Sequence, residues 1–338
     1  MKNTICLIIY DLYRGVVMTV SIVCNTFNHE KYIRDALESF VTQKVDFDYE
    51  ILVYDDASTD GTADIIREYE KKYPDIIKPV YQTVNQYSLR LRPSLQNLRR
   101  ATGKYVAICE GDDYWIDSYK LQKQVDYMEK NEKCTFCFTN GRIRYGTDEK
   151  LSEKQIIPWD RTSIIKDDFD YDVGEVEKMG FIPTCSFLFR NGLELLNVSE
   201  KAFKGDLYIK LSVTKYGYAH FINEPMVVYR RGVNESATAL WVKEPKKYAV
   251  QCDKYIQLFT DVRSQIDKKY EPIMNMRICQ WKILKYYSLN DYSELKALRK
   301  SGEIKYLKYG NLYSRIFYVS KGRFPKLLRF IHKFVSSR

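Results

Sequence analysis

Three carboxylates close a strand-like run in this chain: Glu110, Asp112 and Asp113 follow the apolar segment 105–109, with Gly111 among them. Acids packed this closely repel one another and raise one another's pKa, so the cluster is costly unless a cation joins it or water solvates it. An oxygen-only donor set on a short turn suits Mg2+ or Mn2+, which keep waters and take substrate phosphates as their remaining ligands. The cluster therefore reads as a metal and diphosphate site, with an acidic turn capping the following helix as the plainer alternative. A second acidic strand end, Asp55-Asp56, follows segment 49–54 and precedes Ala57-Ser58-Thr59-Asp60-Gly61. Asp60 or Thr59 suffices to cap the next helix, which leaves Asp55 and Asp56 unexplained by capping.

The two acidic ends need a frame that brings them to one edge. The β-branched run 19–24 reads as a first core strand, 49–54 as a second, 76–82 as a third and 105–109 as the one before the acidic turn. Apolar residues at helical spacing predict helices over 30–43, 63–73 and 94–101 between the strands, and over 117–129 after the turn. Such strand–helix–strand units resolve as parallel pairs with right-handed crossovers, and open α/β sheets bind ligands beyond the carboxyl ends of their strands. Both acidic ends lie on that edge. Further on, the sequence predicts a helix over 207–216, then Lys- and Tyr-rich helices over 246–270, 272–289 and 292–300.

A chain of 338 residues, 45% hydrophobic, has room for about two domains with a real core. Its formal charge of +10 implies an anionic partner: nucleic acid, anionic lipid or a phosphorylated substrate. No apolar run reaches the length of about 18 residues that spans a bilayer. The apolar start after Lys2 ends at Asp11 and Arg14 without a cleavage site, so the chain is expected on the cytoplasmic side. Residues 1–17, before Met18, read as an N-terminal extension. Cys134 and Cys137 find no second CxxC among the 8 cysteines, which read as core thiols rather than zinc ligands. Only 3 histidines are present, and phosphate-cradling Gly-rich loops of the P-loop kind, HExxH and nucleophile elbows are absent from the sequence.

The segments VSIVCNTFNHEKYIRDALESFVTQ, YEILVYDDASTDGT and GKYVAICEGDDYWIDSYKLQKQVDYM resemble glycosyltransferase family 2 enzymes of the GT-A fold. PTCSFLFRN, KGDLYIKLSVTKYG and EPMVVYRRG resemble the family's later segments in the same order, so the resemblance covers roughly residues 18–235. It implies an α/β fold, a Rossmann-like nucleotide-binding half on a central, mostly parallel sheet, followed by a helical C-terminal region. The expected boundaries are 1–17 for the extension, 18–240 for the catalytic domain and 241–338 for the basic helical region. The implied reaction is a Mn2+- or Mg2+-dependent, inverting hexosyl transfer. The donor is a nucleotide sugar, a UDP-sugar, and the acceptor a hydroxyl of a glycan or lipid-linked molecule in bacterial surface polysaccharide synthesis.

By position, Thr26 matches the family's contact to the nucleotide base and Asp56 its acid on uracil or ribose. Asp112 falls toward ribose and metal, Asp113 on the metal and diphosphate, and Asp206 on the catalytic base. Asp206 also has a plainer reading as the N-cap of the helix that follows it. Arg230, Asn234 and Trp115 are candidate diphosphate or acceptor contacts, and Gly232 replaces a His that many relatives carry. Asn25 stands where the family often has Pro and Ala57 where it often has Gly, and both are expected to be tolerated.

A nucleotidyltransferase is the alternative enzyme, but it calls for a Gly- and Arg-rich loop after the first strand instead of CNTFNHEKY. A non-catalytic sugar- or membrane-binding relative is expected to have lost the acids, all of which are present. No motif of a nucleic-acid-binding module appears. In the last segment, Phe324, Leu327, Leu328, Ile331 and Phe334 recur at helical spacing, flanked by Arg323, Lys326, Arg329 and Lys333. That pattern predicts a basic amphipathic helix suited to an anionic membrane surface on the inner face of the plasma membrane, or docked on the catalytic domain.

Overall fold

A computed structural model describes residues 18–145, 151–156, 169–179, 181–203, 205–231, 244–310 and 312–326. The extension 1–17, Gly232, Asn234 and the tail beyond Lys326 lie outside the described residues. Strand β1 (Val20–Thr26) is buried along nearly its whole length, as its apolar run demands. Helix α1 (Ile33–Val41) buries Ile33, Ala36, Leu37 and Phe40, a stripe at three- and four-residue spacing, and returns the chain to β2 (Tyr49–Asp55), parallel to β1. After α2 (Thr62–Lys72), β3 (Val80–Tyr81) is reduced to two residues beyond a single bridge from Ile77 to Ile51. The longer strand expected over 76–82 is broken at Pro79, which has no N–H to give to a ladder.

Helix α3 (Pro93–Leu98) starts on proline and leads into β4 (Tyr105–Ile108), which pairs in parallel with the other side of β1. Beyond the acidic turn come β5 (Tyr114–Trp115) and α4 (Lys120–Lys130). The next stretch contains β6 (Cys134–Tyr145), β7 (Leu151–Gln155), β8 (Phe169–Tyr171) and α5 (Val173–Lys178). It continues through β9 (Leu188–Arg190) and α6 (Asp206–Thr214) to the long β10 (Tyr218–Arg231). Among the described residues ten strands join one sheet, ordered β3-β2-β1-β4-β9-β6-β10-β5, with β7 on β6 and β8 on β10. Because β10 is antiparallel to β5, its far end returns to the acidic turn.

Four helices follow: α7 (Pro245–Arg263), α8 (Glu271–Ser288), α9 (Tyr292–Lys300) and α10 (Leu312–Arg323). Leu258 and Phe259 of α7 and Met274 and Met276 of α8 share one apolar core with Phe136, Phe138 and Phe221 of the sheet. The first two C-terminal helices therefore join the core of the half of the sheet that carries β6 and β10. The described cysteines are all buried thiols. Among the described residues no helix is long and apolar enough to cross a membrane.

Candidate active site

Parallel register sets Thr26 beside Asp55, and the Asp56 amide donates to the Thr26 carbonyl at 3.0 Å. From the other side of β1, the Gly111 amide donates to the Asn25 carbonyl at 2.9 Å. Both acidic strand ends thus meet at the end of β1. Glycine is required at 111, because a Cβ there would lie 2.7 Å from Thr26 Oγ1 and 3.0 Å from His29 Nδ1. Those two polar atoms are buried without a hydrogen-bond partner among the described residues. Buried polar atoms are nearly always satisfied, so this pair stands out beside the acidic turn. Sequence reasoning passed over His29; the signal available was the glycine between the acids, which announces a close approach.

Burial, and then Asp112, push the Glu110 carboxyl up to about 7. Asp113 is raised as well, by burial first and then by Cys185 and Asp112. Its Oδ1 accepts from the backbone N–H of Arg230 at 2.8 Å. The Arg230 guanidinium donates to the Asp112 carbonyl at 2.7 Å and to the Asp35 carboxylate, and lies 5.0 Å and 4.7 Å from the ring centres of Tyr32 and Tyr114. With 4% of its surface exposed, Arg230 is committed to holding the turn from behind, its donors aimed at protein atoms. Trp115 is also buried, its indole N–H donating to the Cys185 carbonyl at 2.8 Å and its ring 4.8 Å from that of Phe40.

The Asp56 carboxylate accepts from the amides of Gln86 at 2.6 Å and Tyr87 at 3.0 Å, so it suspends the turn at 85–88. Each of its oxygens retains capacity for a further bond. Asp55 accepts from the Ser58 hydroxyl, and Asp60 accepts from the Thr62 amide at 3.0 Å and the Glu30 amide at 3.1 Å. Ala57, between these turns, has φ of 63°. An alanine in this left-handed region costs roughly 1–2 kcal/mol, so the exchange from the family's usual glycine is tolerated only under strain.

Asp206 is the first residue of α6, with Gly205 in the cap position, so the reading of Asp206 as the N-cap is replaced by one at the first helical position. Burial raises its pKa, opposed by the Leu207 amide, Lys210 and the Thr184 hydroxyl. Asp206 in turn adds to the upward push on Glu110, which places it within electrostatic reach of the acidic turn. Behind it, Lys210 and Arg277 pair with the fully buried Glu177 carboxylate at 2.9 Å and 3.3 Å, tying α6 to α5 and α8.

Among the described residues, no group of three or more His, Cys, Asp or Glu side chains converges on one metal position. Asp112 and Asp113 nonetheless fit a hard cation, because Mg2+ is usually held by one or two carboxylates while waters and phosphate oxygens complete its shell.

Sheet and site together define an α/β protein of the GT-A kind. The chain belongs to glycosyl transferase family 2, whose family model matches residues 21–196. The uncharacterized protein Rv1520 of Mycobacterium tuberculosis is 35% identical over 213 residues, which cover 63% of this chain and 58% of that protein. The chain thus spans little more than half the length of that relative. TuaG of Bacillus subtilis, named for teichuronic acid biosynthesis, is 29% identical across 68% of this chain and 86% of its own length. The crystal structure of S. aureus TarS residues 1–349 with UDP superimposes with a TM-score of 0.59 at 14% identity, covering 90% of this chain and 87% of that one. The mannosyltransferase PcManGT from Pyrobaculum calidifontis, solved with GDP-Man and Mn2+, gives 0.54 at 18% identity, covering 93% and 86%. At such identities these two likenesses speak for the fold.

Proposed function

We propose that this chain is a metal-dependent, inverting glycosyltransferase. It moves a hexose from a UDP-sugar to a hydroxyl of a glycan or lipid-linked acceptor in bacterial surface polysaccharide synthesis. The observation that carries the reading is the meeting of the acidic turn with Thr26 and Asp56 on one edge, with Asp206 in electrostatic reach of it. UDP in the TarS structure, Mn2+ in PcManGT and the biosynthetic name of TuaG support the same donor, metal and product class.

In this reading Thr26 and Asp56 hold the nucleotide, and Asp112 and Asp113 hold Mn2+ or Mg2+ against the diphosphate. When bound, the cation neutralises the charge that the departing diphosphate gains. The acceptor oxygen attacks the anomeric carbon from the opposite face, a C–O bond forms, the bond to the diphosphate breaks, and Asp206 takes the hydroxyl proton. Its raised pKa suits this role, since a carboxylate held above its ordinary value is a stronger proton acceptor. Arg230 keeps the acidic turn in place and Trp115 supports it from beneath.

The test is thermal melting with UDP, in Mn2+ and in EDTA. A shift that needs Mn2+ is expected, and an equal shift in both rejects the metal-bridged site. In parallel, Asp206→Asn is expected to retain UDP binding while transfer falls by at least about a hundredfold. Transfer at the wild-type rate would remove Asp206 from the reaction.

A further inference from the structure

The formal charge of the chain is not spread along it. Residues 299–338 hold 11 of the 54 Lys and Arg and only one of the 44 Asp and Glu, so their excess alone equals the +10 of the whole molecule. Everything before them is balanced, and an anionic partner attracted by net charge is drawn to this end. Here Gly302, at φ of 78°, ends α9 and opens the 3-10 turn Glu303–Tyr309. Leu298 of α9 and Leu307 of that turn share a small core, against which Ile304 and, from α10, Val319 pack. Ile304, Leu307 and Val319 also line a cavity of about 560 Å³ together with five cations, Arg299, Lys305, Lys308, Arg315 and Arg323. Glu303, the one acid of the segment, is paired with Lys282 of α8 at 2.7 Å. None of the five cations forms an ion pair among the described residues; Lys305 and Lys308 lie over the adjoining rings of Tyr306 and Tyr309.

Like charges gathered around one cavity repel one another, and an anion that enters relieves them all at once. A second feature selects the kind of anion. Arg315, Val319 and Arg323 stand at four-residue spacing on the cavity face of α10, and the face beside it presents Ile316 and Phe324, which are 60% and 57% exposed. The Phe324 amide donates to the Ser320 carbonyl at 2.8 Å, so the helical turn runs on to that ring. A soluble polyanion gives these apolar side chains no gain. At the boundary between lipid headgroups and acyl chains, the cations meet phosphate while the apolar side chains leave water. We propose that this cavity takes the phosphate headgroup of an anionic phospholipid, with Ile316 and Phe324 seated in the leaflet surface beside it. The inference is independent of the donor and of Asp206. It fixes which side of the molecule faces a bilayer.

Co-sedimentation of the full chain with vesicles tests it, phosphatidylglycerol in phosphatidylcholine against phosphatidylcholine alone. Binding is expected only with the anionic lipid and should weaken as salt rises. Lys305→Gln, Lys308→Gln and Arg315→Gln, all at exposed positions, are expected together to weaken binding by about a hundredfold at an unchanged melting temperature, roughly fivefold for each charge. Should the triple variant melt lower, the single exchanges carry the same test at about fivefold each. Ile316→Ser with Phe324→Ser keeps every charge and is expected to weaken binding by about tenfold or more. Unchanged binding by the cation variants overturns the cavity as the site, since the cations beyond Lys326 are retained in them. Unchanged binding by the Ile316 and Phe324 variant overturns the bilayer as the partner, as does tighter binding of the wild-type chain to tripolyphosphate or to a single-stranded oligonucleotide than to the anionic vesicles.

Discussion

The acidic turn and the Glu177 group are both assemblies of buried charge, and they are finished differently. Around Glu177, Lys210 and Arg277 bring two cations to one carboxylate. At the turn, Glu110, Asp112 and Asp113 lie within four residues, and the Arg230 guanidinium is bonded to the Asp112 carbonyl and to Asp35 instead of to those three carboxylates. Burial first, and then neighbouring groups, hold Glu110 and Asp113 above the usual carboxylate range. Buried charges answered within the protein join its parts, whereas buried acids with raised pKa at a strand end are where a functional site is sought.

Removing a partner from the answered group should have the largest effect. Lys210→Met is expected to cost about 3–5 kcal/mol in urea unfolding, because it leaves Glu177 with the more distant Arg277 alone. A loss below about 1 kcal/mol would show that the group contributes nothing as a unit. Asp113→Asn makes the opposite case. Without metal it should raise the melting temperature, since a buried repelling carboxylate becomes a neutral amide that still accepts from Arg230, yet it should erase the Mn2+-dependent shift with UDP. Destabilisation of the metal-free protein would break the contrast between the two regions.

Lys120 supplies a smaller, pH-resolved effect. It is fully buried, donates to Gln124 at 2.7 Å, and burial lowers its pKa from 10.5 to about 8. Between those values the unfolded chain binds more protons than the folded one, so this lysine's contribution to stability rises with pH. Lys120→Met should therefore melt a few degrees higher than wild type below pH 8, with the gap narrowing toward pH 10. A gap independent of pH would mean that the ammonium is already satisfied where it lies.

The N-terminal α/β half was legible because each of its units is local: apolar stripes such as that of α1 and short buried runs such as β1 declare themselves within a few residues. Pro79 was as visible as they were, and it shortened β3 for a reason that the apolar run alone concealed. Two features depended on distant partners and could not be read. Asp56 looked like a bare ligand until the turn at 85–88 was found hanging from it. The plainer reading of Asp206, as a cap, lasted until Gly205 took that place.

Arg230 has a consequence for the order in which the site is made. Its backbone N–H reaches Asp113 across 117 residues of sequence, and its side chain reaches Asp35 across 195. At synthesis rates of about 5–20 residues per second, the acidic turn leaves the ribosome roughly 6–23 seconds before the residue that anchors it. Strands β1–β4 can pair during that interval, but the turn between β4 and β5 cannot take its final shape until β10 has entered the sheet. A nascent chain halted before residue 230 should thus hold a folded β1–β4 core and remain unable to retain Mn2+ with UDP. The competence of one of the earliest segments to emerge is set by one of the later strands.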